Sequence, residues 1–153
     1  MDIIKLVTQK DFYISNRKEF ISCDLNPSWR ISLLLLVVHL VGRSNKSSRN
    51  KVHLVNWALK DTKHENSFLS YVAQQGSRPF INLDPAMDKA IDFALYSKLI
   101  SISQNRIQLT EDGVAIANRL SKEDVFLVEK SAMTRMKKAL TEANVTNSFE
   151  GKL

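Results

Sequence analysis

Apolar positions along this chain fall into a series of helix-spaced stripes with one interruption. The first clear stripe begins at "NPSW", where Asn26 can cap a helix and Pro27 suits its first position. From there "ISLLLLVVHLVG" leaves almost no polar face, which predicts a central helix buried on most sides, ending at Gly42 in a left-handed conformation. "RSNKSSRN" reads as a polar loop, and Ser48 caps a second helix through "RNKVHLVNWALKD". "TKHE", Thr62 to Glu65, is a capping-box pattern opening a third helix on Phe68, Leu69, Val72 and Ala73, which Gly76 ends.

"SRPFINL" then reads as extended chain suited to a sheet edge, with Pro79 near its start. Asp84 and Pro85 open a fourth helix, striped by Met87, Ala90, Ile91, Ala94 and Leu95. The interruption is "LISISQNRIQL". Leu99, Ile100 and Ile102 alternate, Gln104 and Asn105 make the turn, and Ile107 and Leu109 return, so a hairpin is expected. Thr110 caps the next helix, with Val114, Ala117 and Leu120 inward. "SKED", Ser121 to Asp124, reads as a box-like cap for one long helix through Ala143, followed by a frayed tail after Asn144. The fold class predicted is mainly α with a small β-hairpin: a winged-helix-like core over 26–120, a C-terminal helix and tail over 121–153, and an N-terminal arm over 1–25. That arm carries apolar anchors at Ile3, Ile4, Leu6, Phe12, Tyr13, Phe20 and Ile21.

Charge changes the picture more than bulk composition does. The net charge is +6 over 153 residues. Residues 1–60 hold ten Lys or Arg against four Asp or Glu, whereas residues 61–153 hold twelve of each, so the excess lies wholly in the first part. The lone cysteine, Cys23, excludes an internal disulfide framework and reads as small apolar filler. The N-terminus lacks the pattern of a secretory signal. The apolar run Ile31 to Gly42 is well short of the ~20 residues that span a bilayer. A cytoplasmic protein with no membrane segment is expected.

Catalytic signatures are missing from the sequence. His39, His53 and His64 belong to different elements and none has a second ligand at metal spacing. Phosphate-loop, nucleophile-elbow, zinc-helix and paired-cysteine motifs do not occur. The expectation is therefore a protein that is not an enzyme and holds no cofactor or metal.

A wing beside a helix invites a DNA-binding reading, in which the helix before the wing enters the major groove behind Arg, Lys, Asn or Gln. Here that helix presents Asp84, Asp88 and Asp92, one turn apart, an acidic ridge that phosphates repel. This assigns the ridge to a protein interface. A second interface is assigned to Val125, Val128, Ala132, Met136 and Leu140 on the C-terminal helix, where methionine suits a docking surface. Non-specific nucleic-acid contact is assigned to Arg43, Lys46, Arg49 and Lys51, four cations in a stretch without an acid.

"WRISLLLLVVHL", "VHLVNWAL", "DPAMDKAIDFALYSKLI" and "IQLTEDGVAIANRL", in this order, resemble the middle component of bacterial three-component ABC systems. That family is itself similar to the small accessory subunit of Lamassu-type anti-phage and anti-plasmid defence complexes. The likeness spans Trp29 to Leu120 and departs at "YSKLI", where the pattern has a glycine near Ser97 or Lys98. It implies a non-catalytic winged-helix adaptor between an SMC-like ATPase and an effector, often a nuclease, touching DNA indirectly or weakly. The alternative is a stand-alone winged-helix transcriptional regulator.

Overall fold

The structure is a computed structural model and describes residues 26–150. The assignments made to the 1–25 arm, Cys23 included, lie outside the described residues, as do residues 151–153.

Helix α1 (Pro27–Val41) starts where Asn26 Oδ1 accepts the Ser28 amide at 3.0 Å. Its residues Ile31 to Val38 are all buried, which makes it the axis of the fold. A three-residue strand β1 (Lys46–Ser48) leads into α2 (Arg49–Ala58), capped by Ser48 as expected. Then come α3 (Thr62–Val72), α4 (Pro85–Tyr96), β2 (Ile100–Ser103), β3 (Arg106–Leu109), α5 (Glu111–Lys122), α6 (Leu127–Met136), a 3-10 turn (Lys137–Ala139) and α7 (Glu142–Glu150). The chain is thus mainly helical with a small antiparallel sheet of order β1-β3-β2. Helix α1 packs chiefly against α4 and α5, and also touches α2, α6 and the sheet.

The hairpin forms at the expected place. Gln104 (φ 52°) and Asn105 (φ 60°) are both left-handed, the two-residue turn whose twist matches that of the strands it joins. A second turn of the same kind went unread in the sequence. Ser44 and Asn45 also have positive φ, and Arg43 bridges Lys46, so the "polar loop" is a miniature hairpin feeding β1. His39 Nδ1 holds this turn at 2.8 Å from Asn45 Oδ1.

Six local expectations need correction. Gly42 is extended (φ −73°, ψ 165°) rather than left-handed. A side chain there would collide with the carbonyls of Val38 and Lys46, so close approach is what requires glycine. The cap of α3 is Asp61, which accepts the Lys63 amide at 2.9 Å, while Glu65 turns away to Arg135. Residues 77–83 form no strand; Pro79 is buried in irregular chain.

The long C-terminal helix is broken twice. Ser121 lies in the last turn of α5, its hydroxyl donating to Asn118 O at 2.7 Å. Phe126 then turns left-handed (φ 53°) to lay its ring on Trp29, 5.5 Å between centroids. Lys130 Nζ folds back onto the Leu120 and Glu123 carbonyls at 2.8 and 2.7 Å, satisfying the end of α5. After the 3-10 turn, the segment expected to fray is helix α7.

One hydrophobic cluster contains Ile31 of α1 and Met136 of α6, and extends to Val145 of α7. No helix among the described residues is long and apolar enough to cross a membrane.

Candidate functional site

The acidic ridge of α4 meets cations of α1 and α2. Asp84 Oδ1 caps α4 through the Ala86 amide at 2.9 Å. Its Oδ2 accepts from Arg30 Nη1 at 2.8 Å and Lys60 Nζ at 2.9 Å, and from Asn56 Nδ2 at 3.3 Å. Burial opposes the charge on Asp84. The hydrogen bonds from Lys60, Ala86 and Asn56, with the Arg30 charge, outweigh that and hold the carboxyl well below the usual carboxylate range. Asp88 Oδ1 accepts from Arg49 Nη2 at 2.7 Å and lies 2.9 Å from His53 Nε2. Its carboxyl is likewise lowered, the partners overcoming burial. Asp92 alone of the three is exposed without an ion pair to any described residue. Asp84 and Asp88 therefore bind this chain's own helices, Asp84 largely shielded and Asp88 with its side chain still 40% exposed.

The four assigned cations separate in the same way. Arg49 is committed to Asp88. Lys51 is buried and pairs with Glu142 Oε1 of α7 at 3.3 Å. Only Arg43 and Lys46 are exposed and make no ion pair with any described residue.

The sheet supplies a third cation that the sequence reading missed. Residues directly opposite each other on paired strands share a face. Lys46 opposes Gln108 and Ser48 opposes Arg106, while Ser101 and Ser103 lie opposite the same two β3 residues from the other side. Ser47 and Ile107 point inward and are buried. The outer face is thus all polar, with Lys46 and Arg106 on it and Arg43 bridged to Lys46. The signal was present in the alternation of "RIQL" but gained meaning only once β1 was seen to pair with β3.

The outward side of α4 is of another kind. Lys89, Asp92, Phe93 and Tyr96 are exposed, Tyr96 to 87%. The segment leading into α4 adds exposed Phe80 and Leu83. This aromatic surface was also missed, because Phe93 and Tyr96 read as ordinary helix residues beside the Met87–Ala94 stripe.

The C-terminal stripe is mostly core. Ala132, Met136 and Leu140 are buried, and Val125 is partly buried against the same cluster, so these four leave the predicted interface. Val128 remains, 76% exposed beside exposed Leu127. Helix α6 is fastened by Arg135, whose Nε and Nη2 reach the two oxygens of buried Glu65 at 2.7 and 3.0 Å.

Described residues line two surface clefts of note. One of about 330 Å³ lies between the first turn of α2 and the hairpin, lined by Ser48, Arg49, Asn50, Ile102, Asn105 and Ile107. The other, about 240 Å³, is lined by Trp29, Leu33, Asn56, Leu59, Lys60 and Glu129. Neither lining holds a histidine, a cysteine or a pair of carboxylates. No group of three or more His, Cys, Asp or Glu among the described residues is placed to hold a metal ion. Buried His53 spends Nε2 on Asp88, and His64 donates Nδ1–H to the Trp57 carbonyl while stacking on its ring at 4.3 Å.

No family model, curated protein or solved structure matches the chain.

Proposed function

We propose that this protein is a non-catalytic, winged-helix-like adaptor whose exposed α4 face docks a partner protein. The observation that carries the reading is the outward face of α4. A groove-reading helix in this position needs Arg, Lys, Asn or Gln reaching base edges. This one offers Phe93 and Tyr96 with a single Lys–Asp pair of charges, Lys89 and Asp92. Exposed aromatics are what protein interfaces enrich, because each adds large contact area with few rotatable bonds. That composition disfavours the stand-alone regulator.

The partners in this reading come from the sequence resemblance: an SMC-like ATPase on one side and a nuclease-like effector on the other, in a cytoplasmic defence complex. The polar sheet face with Arg43, Lys46 and Arg106 supports a weak, sequence-independent contact with duplex DNA held by that ATPase. Three phosphate contacts give a salt slope of about −2.7 at −0.9 per phosphate, too small to hold DNA alone at physiological salt though measurable at low salt. Such a contact gains force when a clamp supplies a high effective concentration.

The test is co-expression with the products of neighbouring genes, tag purification and native mass measurement. The expected result is a heteromeric complex containing a coiled-coil ATPase. A chain that purifies alone at 17.4 kDa and binds one DNA sequence selectively overturns the reading.

A further inference from the structure

The outward surface of α4 is complementary to itself. Pro85, Lys89, Asp92, Phe93 and Tyr96 are all exposed. At 3.6 residues per turn they fall within about 100° of the helix circumference. The buried stripe of Met87, Ala90, Ile91 and Ala94 occupies the opposite side. Lys89 and Asp92 are three residues apart and so are neighbours on this surface. Neither makes an ion pair with the other or with any other described residue.

Two copies related by a two-fold axis can bring this surface together in two ways. With the helices parallel, Lys89 faces Lys89 and Asp92 faces Asp92, which repel. With the helices antiparallel and the axis at the level of Ala90 and Ile91, each Lys89 stands level with Asp92 of the second copy, and the pair occurs twice by symmetry. The same register sets Tyr96 level with Pro85 of the second copy, ring against ring. Phe93 then lies beside the aliphatic stem of the opposing Lys89, which covers apolar surface while its ammonium reaches Asp92. Every one of the five exposed residues has a matching neighbour in this arrangement.

The size of such a contact makes it exchangeable. An aromatic side chain buries about 150–250 Å² when fully covered, so the four rings of two copies contribute at most about 1,000 Å². That is the range of weak, transient interfaces and below that of permanent dimers. A partner that binds the same face more tightly displaces the second copy by mass action.

We propose that, without its partner, the protein closes its α4 face on a second copy of itself, as an antiparallel homodimer held by crossed Lys89–Asp92 pairs around Phe93 and Tyr96. This rests on the reading of α4 as a docking face. The dimer shields two exposed aromatics per chain until a partner takes their place, and the chain then enters the larger complex with its α4 face on the partner.

The experiment is sedimentation equilibrium of the full chain alone, loaded at about 5–500 μM to span the dissociation constants of contacts this small. The mass is expected to rise with concentration from 17.4 kDa toward twice that value. Lys89→Glu and Asp92→Lys each set like charges opposite each other at both symmetric positions, and each is expected to raise the dissociation constant about tenfold. Both residues are exposed, so both variants should keep the native melting temperature. An equimolar mixture of the two variants is expected to associate again, because in the mixed pair both crossed contacts are attractive. A mass of 17.4 kDa at every loading overturns the dimer. So does a dimer that both single variants leave intact, or a mixture that stays apart. The docking reading is separated by its own complex. A chain that is monomeric alone, yet leaves the partner complex when Phe93 and Tyr96 are replaced, sinks the dimer and keeps the docking face. A charge-dependent dimer with no partner complex supports the dimer and overturns the docking reading.

Discussion

Arg49 and Asp88 meet across the α2–α4 contact, Nη2 to Oδ1 at 2.7 Å, with Nε 3.2 Å from the same oxygen. The sequence points Arg49 to nucleic acid and Asp88 to a partner protein, and in the fold each satisfies the other. Both side chains are about half exposed, so the pair contributes little to stability, roughly 0–1 kcal/mol. Arg49→Ala is therefore expected to leave both the melting temperature and the duplex affinity nearly unchanged, unlike Arg43→Ala with Lys46→Ala. A loss of duplex affinity in Arg49→Ala equal to that of the double variant would put Arg49 on the binding face after all.

Asp84 behaves differently because it is shielded. Replacing it by Ala removes a helix cap and breaks the ion pair between Asp84 and buried Arg30. A loss of about 3 kcal/mol or more is expected in urea unfolding, a large share of a typical domain's stability. A loss under 1 kcal/mol would show that Asp84 does not anchor α4 to α1 and α2.

The carboxylates also set the response to acid. Asp84, Asp88 and Glu142 all have folded-state values below their ordinary 3.8, 3.8 and 4.5. Their contribution is complete above the ordinary values and is lost as pH falls through the lowered ones, because the unfolded chain then takes up protons that the folded chain refuses. Thermal stability is expected to vary little between pH 7 and 5 and to fall below about pH 4.5. Asp84→Asn should flatten that fall. A chain whose stability rises on acidification, or an Asp84→Asn variant with an unchanged acid limb, contradicts this.

Much of the local structure was legible in the sequence. Asn26, Ser48, Asp84 and Thr110 all cap the helices assigned to them, and Gln104-Asn105 turns the hairpin. Such signals act over two to four residues, and they yield only where a tertiary partner competes, as Arg135 does for Glu65 of the expected box at Thr62. The departure at "YSKLI" also has a physical counterpart, since Lys98 takes the left-handed conformation (φ 60°) that glycine adopts without penalty. What the sequence did not disclose were pairings between distant elements, such as Arg30 with Asp84 and Glu65 with Arg135. The break at Phe126 was equally hidden. The three-to-four spacing from Val125 to Leu140 runs on through two separate turns of direction, and an aromatic residue is no local signal for a left-handed corner.

Lys98 and Gly113 offer opposite tests of the hairpin's base. Lys98→Gly is expected to be neutral or stabilising by up to about 1 kcal/mol, as left-handed strain is relieved against a greater unfolded-state entropy. Gly113→Ala is expected to destabilise by about 1–3 kcal/mol, because its methyl would meet the Leu99 carbonyl where α5 crosses the hairpin. Equal melting temperatures for Gly113→Ala and the native chain would mean that α5 does not approach the strand so closely.

The two ends of the C-terminal stripe should separate cleanly. Met136→Ala opens a cavity in the core and is expected to cost about 2–5 kcal/mol. Val128→Ala lies on the surface and should change stability by less than about 0.5 kcal/mol. Comparable losses for both would restore a single exposed stripe.

The central claim is that α4 presents a protein-docking face, and paired substitution of its two exposed aromatics tests it most directly. Phe93→Asp with Tyr96→Asp is introduced into the co-expressed complex, and the mass of the assembly is measured by light scattering after size exclusion. Each aromatic acting as an interface anchor is worth about 2 kcal/mol, so together they should weaken docking by two to three orders of magnitude. The predicted result is a folded, free chain with a native melting temperature and a partner complex that lacks it. A complex of unchanged mass, with the doubly substituted chain still inside it, would contradict the account.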